Sequence, residues 1–294
     1  MAMNLGIIGA ENSHTAAIAK VINIDKSVRG FAVTHVWGET TAMAQKAAET
    51  GRIPTIVKKP TDMLGAIDCV MCDHRDGKYH IPSVLPFLKA GIPVFVDKPM
   101  TTSLAQARAF LRKRKELGVP VTTMSAVPLY PSVAEFRKQI KAMGPLHVLH
   151  LAGPGDYKSQ YGGIWFYGIH QVDLMVELLG TAPRTAEFIV NRNCSTAVIT
   201  YPDDITATLN FSHPPERTCT QNFTMYAVCQ EGTLAEPAAT PDSPYVASTR
   251  LFTRMFKTGK EPFSDARMLA PIAVLDALEK SLKTGKRVKV STVG

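Results

Sequence analysis

Val94-Phe95-Val96 is a three-residue apolar run of β-prone side chains that stops abruptly at Asp97-Lys98-Pro99. A run so short, and apolar on both alternations, fits a strand buried on two faces, as in a parallel sheet with helices on each side. Pro99 cannot extend the ladder and biases Lys98 away from helical dihedrals, which predicts an extended lysine at the strand's carboxyl end. In open α/β sheets that edge is where ligands bind. A solvated Asp-Lys turn is the plain alternative for the tripeptide alone.

The chain before this run alternates in the same style. Residues 4–10 read as a first buried strand turning into a helix near Ser13, and 31–36 and 67–72 read as further strands. Helices are expected over 40–50 and 101–117, the second opened by Thr101-Thr102-Ser103 and closed by Gly118, with a last strand over 119–124. Strands alternating with helices predict an α/β domain over 1–124 with a doubly wound parallel sheet. Past residue 125 the pattern changes. Tyr130-Pro131 opens a helix through Lys141, and strands follow at 145–152, 184–191, 194–201, 204–212 and 218–230. Asp203-Asp204 reads as a tight turn, 236–245 as a loop, and Asp265 to Lys283 as a final helix. Residues 125–294 are therefore expected to form an α+β domain with a large, mostly antiparallel sheet.

The first strand leads into Gly9-Ala10-Glu11-Asn12-Ser13-His14, where a dinucleotide fold carries G-x-G-x-x-G. Only the first glycine is present. Glu11 stands where close backbone approach is normally needed, and its charge opposes a pyrophosphate. Asn12 and Ser13 are good helix caps that can supply side-chain hydrogen bonds, so the turn can still hold an anion. Glu39 follows the second strand. An acid there commonly takes the ribose hydroxyls, which favours NAD over NADP, and no arginine follows closely to receive a 2′-phosphate. The alternative for Glu39 is a surface cap of the next helix.

A length of 294 residues, 45% hydrophobic and 20% charged, is natural for two soluble globular domains. The net charge of +8 is spread along the chain, densest on a helix face at Arg108 to Lys115, and argues for a solvated face rather than nucleic-acid binding. No run approaches membrane-spanning length, and Met1 leads straight into a strand without a basic segment followed by a long apolar one, so a cytoplasmic protein without a signal peptide is expected. Five cysteines suggest reduced thiols. Cys69 and Cys72 form a CxxC, but on a strand they point to opposite faces, and no Cys/His cluster has zinc spacing.

A second cluster lies at Gly162-Gly163-Ile164-Trp165-Phe166-Tyr167-Gly168-Ile169-His170-Gln171-Val172-Asp173. Trp165, Ile169, Val172, Val176 and Leu179 recur at helical spacing and form a packed stripe. Phe166, His170 and Asp173 share another face, and a carboxylate one turn from an imidazole can orient it and raise its basicity. On a helix, His-x-x-Asp is also a common local ion pair.

Lys98-Pro99 after a buried strand, the strand Ile67 to Cys72, His80, the helix end Leu85 to Gly91, and the Gly-Gly…His-x-x-Asp stretch together resemble the Gfo/Idh/MocA oxidoreductases, relatives of glucose–fructose oxidoreductase and inositol dehydrogenase. The likeness runs nearly the whole chain, down to Ser281 to Val288. It implies a Rossmann domain and an NAD-dependent dehydrogenase acting on a small sugar or polyol derivative. Lys98 would hydrogen-bond the reacting oxygen, and His170, with Asp173, would take the hydroxyl proton. Asp97 stands in place of the family's glutamate, and the loop with Asp73, His74 and His80 would lie along the cofactor. Tyr157 and Tyr161, on the glycine-flanked loop before the motif, are placed to close over substrate. The chain departs from the family at Glu11 and His14, at Asp73-His74 where a Thr-Pro pair is usual, and at Phe166 where a second acid is usual. Those departures sustain a second reading, a ligand-binding or regulatory relative without redox turnover, and a third, a lyase or hydrolase using bound NAD transiently. Apolar residues on both alternations of 184–191 and 204–212 add the expectation of a homodimer or homotetramer through the uncovered sheet face.

Overall fold

The structure is a computed structural model that describes residues 2–213 and 223–293. The chain begins β1 (Met3–Ile8), α1 (Ser13–Ala19), β2 (Phe31–Trp37), α2 (Thr41–Gly51), β3 (Thr55–Ile56), β4 (Cys69–Cys72), α3 (His80–Lys89), β5 (Val94–Val96), α4 (Leu104–Leu117) and β6 (Val121–Thr123). These strands pair in parallel in the order β3-β2-β1-β4-β5-β6. The order reverses direction between β1 and β4, which opens a crevice at their carboxyl ends. β4 and β5 are buried on both faces, as expected of short apolar runs in a helix-covered sheet. Thr40 caps α2 by accepting from the Met43 amide at 3.2 Å, and Ser103 caps α4 by accepting from Gln106 at 3.3 Å. β4 and β6 are shorter than the runs at 67–72 and 119–124 suggested, and β3, two exposed residues, carries too little periodicity to read from sequence.

The chain continues with α5 (Pro131–Ala142), β7 (Leu146–Pro154), α6 (Ile164–Leu179), β8 (Thr185–Ile189), β9 (Cys194–Thr200), β10 (Thr206–Ser212), β11 (Phe223–Cys229), β12 (Gly232–Ala238), α7 (Val246–Thr258), α8 (Asp265–Thr284) and β13 (Val288–Lys289). The second sheet runs β12-β11-β7-β10-β9-β8-β13 and is antiparallel except where β7 meets β10. Asp203 and Asp204, at φ +58° and +57°, make the two-residue turn between β9 and β10. The expected loop over 236–245 is corrected in part, because β12 reaches Ala238. Pro237 is tolerated there because β12 is an edge strand. Of the strand expected over 218–230, residues 218–222 lie outside the described residues.

Alternation along this sheet is cleaner than the sequence implied. Phe188, Ala197, Ile199, Leu209, Phe211 and Met225 are buried on the face that α6 and α8 pack against. The other alternation holds Thr196, Val198, Thr208 and Asn210, all half-buried, with Tyr226 and Ile189 exposed.

Two compact units result, Met1–Met124 with Tyr245–Ser264, and Ser125–Pro244 with Asp265–Gly294. The first therefore takes in a segment, α7 included, that a division into 1–124 and 125–294 assigns elsewhere. The reason is a tertiary contact. Phe252 of α7 stacks on Phe95 of β5 at 4.4 Å with neither ring accessible, and Glu261 accepts the Val121 amide at 2.9 Å and pairs with Arg114. Phe252→Ala should cost about 3–5 kcal/mol by leaving a cavity beside Phe95. Urea denaturation measures it, and an unchanged midpoint would show that α7 is not part of that core.

Candidate functional site

In the first unit, the turn after β1 is built around Gly9. Its φ is +112°, and a Cβ would lie 2.7 Å from Asp73 Oδ1 and 3.0 Å from the His74 nitrogen, so only glycine lets the turn pass against the end of β4. The Gly9 amide donates to the Trp37 carbonyl at 2.9 Å, which ties the turn to β2 as well. Glu39 closes it. One carboxylate oxygen accepts the Ala10 and Glu11 amides at 2.8 and 2.9 Å, and the other meets His74 Nδ1 at 2.8 Å, while His74 Nε2 meets Ser83 at 3.0 Å. Burial raises the Glu39 pKa, but the bonds from His74 and the two amides outweigh it and bring it to about 2. Glu39 does not cap α2, which Thr40 does, and its first task is to satisfy the turn's own amides.

Asn12 caps α1 and donates from Nδ2 to Asp97 at 3.3 Å. His14 also turns to Asp97. Its Nδ1 lies 2.9 Å from Asp97 Oδ2, and its ring packs on Tyr245 at 4.7 Å. Burial raises the Asp97 carboxyl, yet His14, and then Lys98, hold it well below the usual range. Asp73 goes the other way, pushed well up by burial and by the charge on Asp97. Thr15 Oγ1 lies 2.7 Å from the Gly9 carbonyl and 2.8 and 2.7 Å from the two Asp73 oxygens. One hydroxyl proton cannot serve three acceptors, which agrees with an Asp73 carboxyl that keeps its own proton.

Lys98 follows β5 and is 6% exposed, its Pro99 peptide being cis. Burial lowers its pKa against the raising effect of Asp97, and Arg75 lowers it further. His80 is fully buried, with Nδ1 2.7 Å from the Pro99 carbonyl and Nε2 2.8 Å from the His74 carbonyl. Asp73 and His80 are both inaccessible and spend their polar atoms on the chain itself, Asp73 on Thr15 and His80 on local hydrogen bonds at the start of α3, so neither presents an atom at the surface of the loop. They hold the loop and the Lys98-Pro99 corner from beneath.

In the second unit α6 carries the other cluster, and Trp165, Ile169, Val172 and Val176 are buried as the stripe predicted. The orienting bond on His170 is corrected: Nδ1 meets Ser125 Oγ at 2.7 Å, not Asp173. Asp173 accepts the Ser125 amide at 2.9 Å and pairs with Arg267 of α8, whose second nitrogen reaches Glu177 at 3.3 Å. Phe166 is buried, and its ring packs on Tyr161 at 5.0 Å. Tyr157 is turned onto the sheet, edge-on to His213 at 5.2 Å and Phe188 at 6.1 Å, and its carbonyl lies 2.8 Å from where a Gly163 Cβ would sit. Tyr157 is thereby a packed residue rather than a lid over substrate. Ser125 and Arg267 carried no local signal, since Ser125 directly precedes a loop and Arg267 lies 94 residues from Asp173. Ser125 could have been suspected only from its place just after the last parallel strand.

Among the described residues, no group of three or more His, Cys, Asp or Glu is arranged to hold a metal ion, and no helix is long and apolar enough to cross a membrane. A dinucleotide is another matter. The sheet order, the close passage at Gly9 and the acid ending β2 are those of a dinucleotide-binding fold. The amides of Ala10 and Glu11 are already taken, so the donors left to a pyrophosphate are the amides of Asn12 and Ser13, which open α1 without intrahelical partners, and the His14 imidazole. The residues fit the group with a donor set different from a glycine-rich turn.

Residues 3–125 match the oxidoreductase family described as having an NAD-binding Rossmann fold, Gfo/Idh/MocA. No curated protein sequence matches the chain. Among solved structures, myo-inositol 2-dehydrogenase from Lactobacillus plantarum is 14% identical with a TM-score of 0.86, covering 99% of this chain and 100% of the other. Scyllo-inositol dehydrogenase from Lactobacillus casei, with NAD(H) and scyllo-inositol bound, is 13% identical with a TM-score of 0.84 over 99% of each chain. GenD2 from gentamicin A biosynthesis, in complex with NAD, is 15% identical with a TM-score of 0.86, covering 99% and 97%. At these identities the likeness is one of fold.

His80 gives the first unit a pH signature. Burial lowers its pKa from the ordinary 6.5 to about 4, although Asp97 raises it. Between those values the unfolded chain binds a proton that the folded chain refuses, so stability is present above pH 6.5 and is lost as pH falls toward 4. His80→Asn should flatten the dependence of urea stability on pH in that window; an unchanged slope would remove His80 as its source.

Proposed function

We propose that the protein is an NAD-dependent dehydrogenase interconverting a hydroxyl and a carbonyl on a small sugar- or polyol-like substrate. The observation that carries this is Lys98: a buried lysine of lowered pKa at the carboxyl end of β5, in a family Rossmann domain. Two of the structural neighbours are inositol dehydrogenases, which supports the polyol class. NAD, when bound, gives or takes the hydride. Asn12, Ser13 and His14 are assigned to its phosphates, and Glu39, following β2, to its ribose. NAD is preferred to NADP because a carboxylate at that position repels a 2′-phosphate.

Lys98 hydrogen-bonds the reacting oxygen and stabilises charge developing on it, the more effectively for being buried. His170 exchanges the proton of that oxygen. Asp173 serves by fixing Ser125 and Arg267 rather than by touching the reacting atoms. Lys98→Met and His170→Ala should each reduce NAD-dependent turnover of a responsive polyol by about 10²–10⁴-fold. Wild-type rates in both variants would overturn the assignment.

A second reading, a non-redox ligand-binding relative, is favoured by one observation: Glu39 occupies two amides that a pyrophosphate would otherwise use. Fluorescence titration with NADH separates the two, since failure to bind at millimolar cofactor excludes redox use.

The half-exposed face of the second sheet, with Val198, Tyr226 and Ile189, is assigned to pairing with a second copy of the chain. A dimeric or tetrameric mass by light scattering at micromolar protein is expected. A monomeric mass would remove the assignment.

A further inference from the structure

We infer that Ser125 sets the tautomer of His170, holding the neutral ring with its proton on Nε2, so that His170 meets substrate as a hydrogen-bond donor to a carbonyl oxygen. The inference rests on the proposed role of His170 and adds the direction in which it is poised. Ser125 is 1% exposed, so its hydroxyl must find its partners inside the protein. Its Oγ lies 3.2 Å from the Val127 amide and 2.7 Å from His170 Nδ1. An amide can only donate, which fills one lone pair of Oγ.

Two arrangements remain. If Nδ1 carries the ring proton, it fills the second lone pair, and the serine proton is left in a buried place without an acceptor. If Nδ1 is bare, the serine donates to it, the serine hydroxyl and the Val127 amide are both satisfied, and the proton of the neutral imidazole sits on Nε2. An unpaired buried donor is costly enough to favour the second by roughly tenfold or more.

The usual way to force the opposite tautomer is a carboxylate on Nδ1. Neither neighbouring position on α6 provides one. Phe166 stands one turn earlier, and Asp173, one turn later, gives its oxygens to the Ser125 amide and Arg267. Asp173 and Arg267 thus place Ser125, and Ser125 places the proton. Ser125 is a positioning residue. A ring already protonated on Nε2 cannot accept a hydroxyl proton there but can donate to a carbonyl oxygen, so the resting enzyme is matched to the ketone or aldehyde form of its substrate.

The test is nitrogen NMR of ¹⁵N-histidine-labelled, cofactor-free protein at a pH where His170 is neutral, with His170→Ala identifying the signal among the 8 histidines. A protonated Nε2 and bare Nδ1 in wild type, moving toward a mixture in Ser125→Ala and restored in Ser125→Thr, is the expected result. A wild-type ring protonated on Nδ1 overturns the inference even if Ser125→Ala fails to fold, and so does a tautomer unmoved by Ser125→Ala. Because no substrate or cofactor is present, this outcome is separate from the proposed dehydrogenase activity, which stands or falls on turnover by the Lys98 and His170 variants.

Discussion

The first unit depends on one carboxylate. Glu39 draws the amides of Ala10 and Glu11 toward the end of β2 and takes His74 from the end of β4, so three strand ends are joined at one acid. A turn rich in glycine does not need this, since its backbone can approach a ligand or a neighbouring strand freely. Here Gly9 alone keeps that freedom, and the side chains around it replace the rest. Asn12 and His14 reach across to Asp97, Thr15 reaches Asp73, and His80 holds the Pro99 carbonyl behind Lys98.

The same crowding explains the ionisation pattern. Asp73, Asp97 and Glu39 cannot all be charged without compensation in a place from which water is excluded. The structure distributes the difficulty. Glu39 has amides and His74 and stays ionised near the accessible edge. Asp97 has His14 and Lys98 and stays ionised in the interior. Asp73 has the Thr15 hydroxyl and the charge of Lys98 on its side, which do not offset burial and the charge of Asp97, and its carboxyl is pushed well up. Lys98 is then left with a neighbouring charge that opposes its desolvation without cancelling it. A lysine so placed is a better partner for a polarised oxygen than a fully solvated one.

The second unit solves a different problem, how to hold an imidazole when the acid one turn before it is a phenylalanine. The solution comes from outside the helix. Arg267 on α8 bridges Asp173 and Glu177, which fixes the face of α6, and the freed Asp173 oxygen fixes Ser125. Fold and site share these bonds, so the histidine's orientation is as rigid as the packing of α6 on α8.

How much of this was legible in the sequence follows from the range of the forces involved. Short-range forces were legible. Apolar runs with β-branched residues specified the parallel strands, helical spacing specified the buried stripe of α6, and Ser103 and Gly118 marked helix ends through contacts within one turn. Gly9, Glu39 and Lys98 stood out because they follow strand ends, where ligands bind in such sheets, and His170 because it shares a helix face with Asp173. What only the tertiary structure decided is who pairs with whom. His14 took Asp97, Ser125 took the place expected of Asp173, and Asp73 and His80 turned inward. α7 joined the first unit because Phe252 found Phe95, far away in the chain. A hydrogen bond or a ring stack is fixed by ångströms in space. Sequence spacing reports ångströms only along a single helix or strand, and every one of these partners lies on a different one.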